Sequence, residues 1–371
     1  MISKSLKIGF VLTRIAGTDG VSLETLKWDE VLRNEGHKTC FVAGQAETPS
    51  EKTMEIEEFH FKHPEALEIY REAFQNGEER PQNLTEKIHV NTKKLKKDIY
   101  NFLDTFDPDV LIAENVLTIP IHLPLGLALT EVIAETSIPV IAHHHDFYWE
   151  RDRFLNNSVW DILNAAFPPT FHSIEHVVIN SSASHQLAHR KGLSSTLIPN
   201  VIDFNEDPPG IDDYNADVRE NFGIAEDELF VLQPTRIVPR KRIEEAIELV
   251  SYLDRPAKLL ISHASGDEGY EYENHIRRYA DHLGVDTLLV AEQIAPERGR
   301  TEDGRKIYSL EDIYPHADLV TYPSAYEGFG NAFIETIYFK KPILVNNYSV
   351  YAQDIRPKGF EVIEFDGYIT C

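Results

Sequence analysis

The stretch Tyr322-Pro323-Ser324-Ala325-Tyr326-Glu327-Gly328-Phe329-Gly330-Asn331-Ala332-Phe333-Ile334-Glu335 decides how the chain is read. Asp318 to Tyr322 is an apolar run that suits a buried strand. A loop with two glycines follows, then the first turns of a helix that Pro342 closes. Glycines in such a loop let the backbone come close to a ligand, and the helix start offers unpaired N–H groups and the positive end of a dipole. Glu327 precedes the helix and Glu335 lies inside it, with seven residues between them. One carboxylate can face the reacting part of a ligand while the other grips a neighbouring hydroxyl-rich part. That arrangement suits a ligand carrying both phosphate and sugar.

Upstream, the second half alternates strand and helix. Leu229 to Gln233, Lys258 to Ser262 and Thr287 to Ala291 read as strands, Ile243 to Leu253 and Tyr270 to Leu283 as helices. Glu297 to Lys306 is a charged loop, Leu310 to Tyr314 a short helix leading into the motif, and Phe360 to Phe365 a last strand.

The first half opens in the same way. Ile8 to Leu12 is a strand, and Thr13 to Gly20 a loop with glycines at 17 and 20. A helix starting near Ser22 carries Leu23, Leu26, Val31 and Leu32 at helical spacing and stops at Gly36. Further strands are expected at Thr39 to Ala43, Asp109 to Ala113, Pro139 to Ala142, Val177 to Asn180 and Thr196 to Pro199, with helices at Pro120 to Thr136 and Ser184 to Lys191. Residues 45 to 90 are polar and glutamate-rich and read as partly helical excursions. The next helix bears Lys93, Lys94, Lys96 and Lys97, either a solvated face or a point of attraction for an anionic acceptor. Asp203 to Asp217, rich in Asp, Pro and Gly, marks a boundary between domains at 1–205 and 206–371. Alternation on both sides of a linker predicts an α/β protein of two Rossmann-like, parallel-sheet domains facing each other across a cleft.

At 371 residues the chain can build two cores. Its 61 acidic against 36 basic residues give a net charge of −25, which disfavours nucleic acid and anionic membrane surfaces as partners. Two cysteines, Cys40 and Cys371, make no disulfide framework, so a reducing cytoplasm is expected. No apolar run reaches the length of a signal peptide or a bilayer span, so stable membrane insertion is not expected.

Two clusters carry chemistry besides the opening motif. Pro234 to Arg242 follows a strand end and holds Arg236 and Lys241, five apart, which can converge on one phosphate pair. Fixed cations of this kind can neutralise a departing diphosphate in place of a metal. The run His143-His144-His145-Asp146 follows another strand. Consecutive histidines point different ways and cannot all ligate one ion, so no metal site is assigned. Asp146 can orient a neighbouring histidine or bind an acceptor hydroxyl. Arg151 and Arg153 either meet an acidic acceptor or are surface charges.

Together these residues resemble the retaining, sugar-nucleotide-dependent glycosyltransferases of family 4, whose signature is a Glu-x7-Glu pair around an EGFG-like loop. The resemblance is strongest from Phe230 to Asn346 and looser before it. It implies the GT-B fold, with the acceptor side in 1–205 and the donor nucleotide held mainly by 206–371. It implies transfer of a hexose, with retention, from a UDP- or GDP-linked sugar to a hydroxyl acceptor that is small and polar or phosphorylated. In that scheme Arg236 and Lys241 bind the donor diphosphate, helped by Gly328 and the N–H groups of Phe329, Gly330 and Asn331. Glu327 contacts the sugar, Glu335 the ribose, and His145, picked by counting from Pro139, supports the sugar with Asp146 beside it. Gly17, Asp19 and Gly20 fall near the phosphates and acceptor, and Glu292 to Ile294 near the base, largely through backbone. Attack from the front face, with the leaving phosphate taking the acceptor's proton, is what the family implies.

No metal is expected, and no cofactor beyond the nucleotide sugar as co-substrate. The alternatives are a nucleotide-sugar hydrolase or epimerase of the same fold, with Asp146 or Glu327 as general base, and a non-catalytic nucleotide-sugar binder. There are two departures from the family pattern. Its Pro-Asn-Gly is here Pro199-Asn200-Val201, and the chain stops at Cys371, where family members continue with further helices. The C-terminal domain is therefore expected to be truncated or to close differently.

Overall fold

Short apolar runs form the central strands of two parallel sheets, as expected for strands covered by helices on both faces. The computed structural model describes residues 5–17, 19–265 and 270–369, and the chain divides into two compact units, Met1–Pro199 and Asn200–Cys371.

The first unit runs β1 (Lys7–Val11), α1 (Gly20–Asn34), β2 (Lys38–Ala43), β3 (Thr53–Glu55), α2 (Pro64–Phe74), α3 (Leu84–Phe106), β4 (Val110–Glu114), α4 (Leu123–Thr136) and β5 (Val140–His144). It ends with α5 (Asp152–Leu155), α6 (Trp160–Ala166), β6 (Ile174–Val178), α7 (Ser181–Lys191) and β7 (Thr196–Leu197). The strand order is β3-β2-β1-β4-β5-β6-β7, all parallel. The excursion at 45 to 90 holds the edge strand β3 and the helix α2. Two of the α3 lysines meet carboxylates of neighbouring helices, Lys94 at Glu65 and Lys96 at Glu131 and Glu135, which favours a structural role for that face.

α1 departs from its sequence pattern. Leu23, Leu26 and Val31 are 37, 41 and 60 % exposed, while Ser22, Glu24, Thr25 and Asp29 are buried. Of the four apolar positions only Leu32 packs on the core around Phe10 and Phe41. Most of this buried polar side is hydrogen-bonded, which is what makes its burial tolerable, although Asp29 Oδ1 has no partner among the described residues. Asp29 accepts from Arg33 and Lys52, the Thr25 hydroxyl donates to the Val21 carbonyl, and Asp19 caps the helix by accepting from the Val21 and Ser22 N–H groups.

The second unit runs α8 (Val218–Asn221), β8 (Leu229–Gln233), α9 (Ile243–Ser251), β9 (Ala257–Ile261), α10 (Glu271–Leu283), β10 (Asp286–Leu289), an antiparallel pair β11 (Gly299–Arg300) and β12 (Lys306–Ile307), α11 (Leu310–Ile313), β13 (Leu319–Tyr322), α12 (Asn331–Tyr338), β14 (Ile343–Asn346) and β15 (Ile363–Phe365). Its main sheet has the order β10-β9-β8-β13-β14-β15, again parallel. Both sheets therefore have the doubly wound order, and each has a switch point where the order reverses: between β1 and β4, and between β8 and β13. The chain has two Rossmann-like domains, as in the GT-B fold. Among the described residues no helix is long and apolar enough to cross a membrane. Cys40 is buried, and burial pushes its thiol up to about 12; Cys371 lies outside the described residues.

Candidate functional site

In parallel α/β sheets ligands bind beyond the carboxyl ends of the strands at the switch point. In the second unit those ends carry the two motifs singled out in the sequence. After β8 the chain makes a single turn at Pro239–Lys241, and the Ala325 N–H donates to the Arg240 carbonyl at 2.8 Å, tying the basic loop to the loop after β13. Lys241 is buried, and its ammonium donates to Glu327 Oε1. Arg240 Nη1 donates to Glu327 Oε2 at 2.7 Å. Both oxygens of the first motif glutamate are thus held by cations. Burial alone would push the Glu327 carboxyl up, but Lys241 and Arg240 outweigh it and hold it at about 2. For Lys241 burial wins: one carboxylate shared with Arg240, which also repels it, leaves the ammonium at about 8.

Arg236 lies exposed on the same loop, and its charge acts on both Lys241 and His263. His263, just past β9, is brought down to about 4 by burial first and by those two cations next. Gly330 caps α12 at φ 126°, and a Cβ there would lie 2.5 Å from the Tyr348 hydroxyl, which itself donates to the Phe329 carbonyl at 2.8 Å. Only glycine fits that position. Glu335 accepts from the Tyr314 hydroxyl at 3.0 Å, and Asn331 Oδ1 from Asn200 Nδ2 at 2.8 Å, so the Pro-Asn-Val segment is tied to the start of α12. Ile294 bridges to Tyr308, and Glu292 pairs with Arg305.

In the first unit β5 delivers the histidine run, and the side chains alternate as a strand requires. His144 points to one side, with its Nε2 2.9 Å from His176 Nδ1. His143 and His145 share the other side with Glu114, at the end of β4. His143 Nδ1 lies 3.0 Å and His145 Nε2 3.3 Å from Glu114 Oε2. Burial raises the Glu114 carboxyl, yet the two imidazoles outweigh it and hold it near 2, so it accepts and both imidazoles donate. For His145 burial lowers the pKa, but the hydrogen bond and charge of Glu114, with Asp146 and Glu24 behind it, raise it overall. Trp28 of α1 stacks on His143 at 4.4 Å.

Glu114, His143 and His145 offer ligand atoms within 4.8 Å of one another, a set able to hold a metal ion. In the structure their polar atoms are engaged chiefly with each other. Asp146 pairs with Arg151 at 2.6 Å, so Glu114, not Asp146, is the hydrogen-bonded partner of His145. Arg153 lies over Phe154. Gly17 takes a left-handed φ of 68° and donates its N–H to Glu47, and Gly20 is the first residue of α1.

Residues 215–363 match the family model described as glycosyl transferases group 1. Over 96 % of this chain, and 86 % of its own length, a mannosylglucosylglycerate synthase from Petrotoga mobilis is 37 % identical. The chain belongs to the group 1 glycosyl transferases. It is an enzyme, a hexosyltransferase. The mannosylglucosylglycerate synthase of Thermotoga maritima is 32 % identical over 96 % of this chain and 84 % of its own length. The crystal structure of Anabaena HepE in complex with UDP-glucose has the same fold, with a TM-score of 0.61 at 13 % identity over 98 % of this chain and 85 % of that one.

Two groups in this transferase had no distinct signal in the sequence. Arg240 stands in a run with Lys241 and Arg242, and spacing alone cannot choose among neighbouring cations. Glu114 ends the apolar run Val110–Glu114, and a carboxylate closing such a run was the available sign.

Proposed function

We propose that this enzyme moves a mannosyl group from a UDP- or GDP-linked donor to a hydroxyl of a small acceptor carrying a hexosyl unit and a glycerate carboxylate. The likeness to two mannosylglucosylglycerate synthases along nearly the whole chain supports the sugar and the acceptor. The ion-paired trio of Glu327, Arg240 and the buried Lys241 at the β8/β13 switch point carries the chemistry. A leaving nucleoside diphosphate gathers negative charge, and Lys241, with Arg236 on the same loop, offers fixed positive charge to it. As the diphosphate engages Lys241, Glu327 gains a free oxygen for the hydroxyls of the transferred sugar. Glu335 then serves the ribose, Gly328 to Asn331 supply N–H groups, and Ile294 lies by the base, completing the Glu-x7-Glu pattern of family 4. His145, hydrogen-bonded through Nε2 to Glu114, supports the sugar at the reacting face. Retention follows by front-face attack, with the leaving phosphate accepting the acceptor's proton. In this scheme no resident metal is required, and the reaction runs in the cytoplasm, where nucleotide sugars are available.

The test is incubation with UDP- or GDP-mannose and glucosylglycerate, with the product read by NMR. An α-linked mannosyl product formed equally in the presence of a chelator is expected. Free mannose alone, a β-linkage, or dependence on added divalent metal overturns the corresponding part.

A further inference from the structure

The switch point of the first unit is not bare. Between the ends of β1 and β4 lies a cavity of about 190 Å³, walled by Arg14, Asp19, Phe61, Glu114, Asn115 and apolar residues such as Ile119. It is smaller than the roughly 300 Å³ at which pockets for drug-sized ligands begin, so it suits one small polar fragment and not a whole disaccharide.

Its polar groups are specific. Asn115 follows β4 with φ 61°, the left-handed region that costs a non-glycine residue strain and that asparagine tolerates best. Its Oδ1 accepts from the His145 N–H at 3.1 Å and from the Thr118 hydroxyl at 3.0 Å. The side chain is thus fixed by its oxygen, and its amide N–H groups have no partner among the described residues. Arg14 lies over the Phe61 ring at 5.4 Å and donates one N–H to Asp19 at 2.9 Å, leaving most of its five donors unengaged. Asp19 is committed elsewhere too, as the acceptor that caps α1.

We propose that this cavity takes the carboxylate end of the acceptor, a 2-hydroxy acid, with Arg14 and the Asn115 amide donating to the carboxylate. This rests on the acceptor proposed above and assigns the residues that select it. Charge decides against a phosphorylated acceptor. One guanidinium stands with Asp19 beside it and Glu114 on the wall, and burial keeps the lining His122 neutral by lowering it to about 4. A monoanion can be paired there; a phosphate dianion would leave a charge without a partner. The same wall places Glu114 and the side-chain oxygen of Asn115 next to His145, so the fragment is bound beside the histidine proposed to face the sugar.

The experiment compares glucosylglycerate with its carboxyl-reduced analogue glucosylglycerol and with the 3-phosphorylated acid, in the whole chain. The unaltered enzyme is expected to favour glucosylglycerate over both. Arg14→Gln and Asn115→Ala should raise KM for glucosylglycerate by roughly 10- to 100-fold, the worth of a hydrogen bond to a charged group, bringing the preference over glucosylglycerol towards one. Arg14→Lys should recover part of it. Nucleoside diphosphate affinity, measured in parallel, checks that each variant has folded. Absence of any transfer to glucosylglycerate by the unaltered enzyme overturns the proposed acceptor and this inference with it. Transfer with an unchanged preference in both variants, or a preference for the phosphorylated acid, overturns the inference alone.

Discussion

Replacing Glu327 by Gln tests the charge arrangement of the second unit most directly. The amide keeps the shape but removes the anion that both Lys241 and Arg240 address. Holding a carboxyl at about 2 instead of its ordinary 4.5 corresponds to about 3 kcal/mol, close to the 3–5 kcal/mol typical of breaking a buried ion pair. Two features bound the loss. Lys241, already at about 8, can shed its proton when its partner goes, whereas Arg240 cannot. The expected cost at pH 7 is therefore about 3 kcal/mol, and it should shrink by pH 9. For a unit of this size that lowers Tm by about 6–12 °C. The sign with pH is fixed by the depressed pKa. The stability Glu327 adds is present above about 4.5 and is lost as pH falls towards 2, so the variant should lack that part of the acid transition. Bound as proposed, a nucleoside diphosphate supplies the missing negative charge, so UDP or GDP should raise the variant's Tm by more than it raises that of the unaltered enzyme. Thermal unfolding at pH 5, 7 and 9, with and without nucleotide, reads all of this. A Tm within 1–2 °C of the unaltered value, or a smaller nucleotide effect in the variant, would refute the reasoning.

In the proposed scheme Lys241 must be charged to hold a diphosphate, so calorimetry should find nucleoside diphosphate tightest below pH 8, weakening above it by up to tenfold per pH unit with proton uptake on binding; Lys241→Arg should flatten that profile. The Glu114–His145 pair works in the opposite pH sense. His145 is raised, so the pair's stability is full below about 6.5 and is lost as pH rises through the folded value. Glu114→Gln should cost about 3 kcal/mol at pH 6, flatten the pH dependence above it, and alter Trp28 fluorescence through the His143 ring it stacks on; an unchanged His145 titration by NMR would exclude the pairing. Leu26→Ser on the exposed side of α1 should change stability by no more than about 0.5 kcal/mol, and a loss of 2 kcal/mol or more in chemical denaturation would restore the core position its spacing suggests.

The strand ends were legible because parallel sheets leave a strong mark: short branched runs closed by glycine, proline or polar residues. Val110–Glu114 and Leu319–Tyr322 fall within a residue or two of the runs that announce them. Once the strands are placed, the switch-point rule points to the loops after β8 and β13, which hold Arg236, Lys241 and Glu327, whereas His145, after β5, is picked by the family resemblance and not by that rule. What the sequence hides is partnership. Glu327 and Lys241 are 86 residues apart and Glu114 and His145 are 31 apart, and no local periodicity encodes which charge meets which. α1 shows the same limit in the other direction. Helical spacing of Leu23, Leu26 and Val31 states that one stripe is apolar, but not that this stripe meets the sheet. Here the sheet side instead takes Glu24 and Trp28, whose neighbours are the histidines of β5. A helix that serves a polar site at the end of its own sheet cannot bury only carbon, and its exposed leucines follow from that requirement.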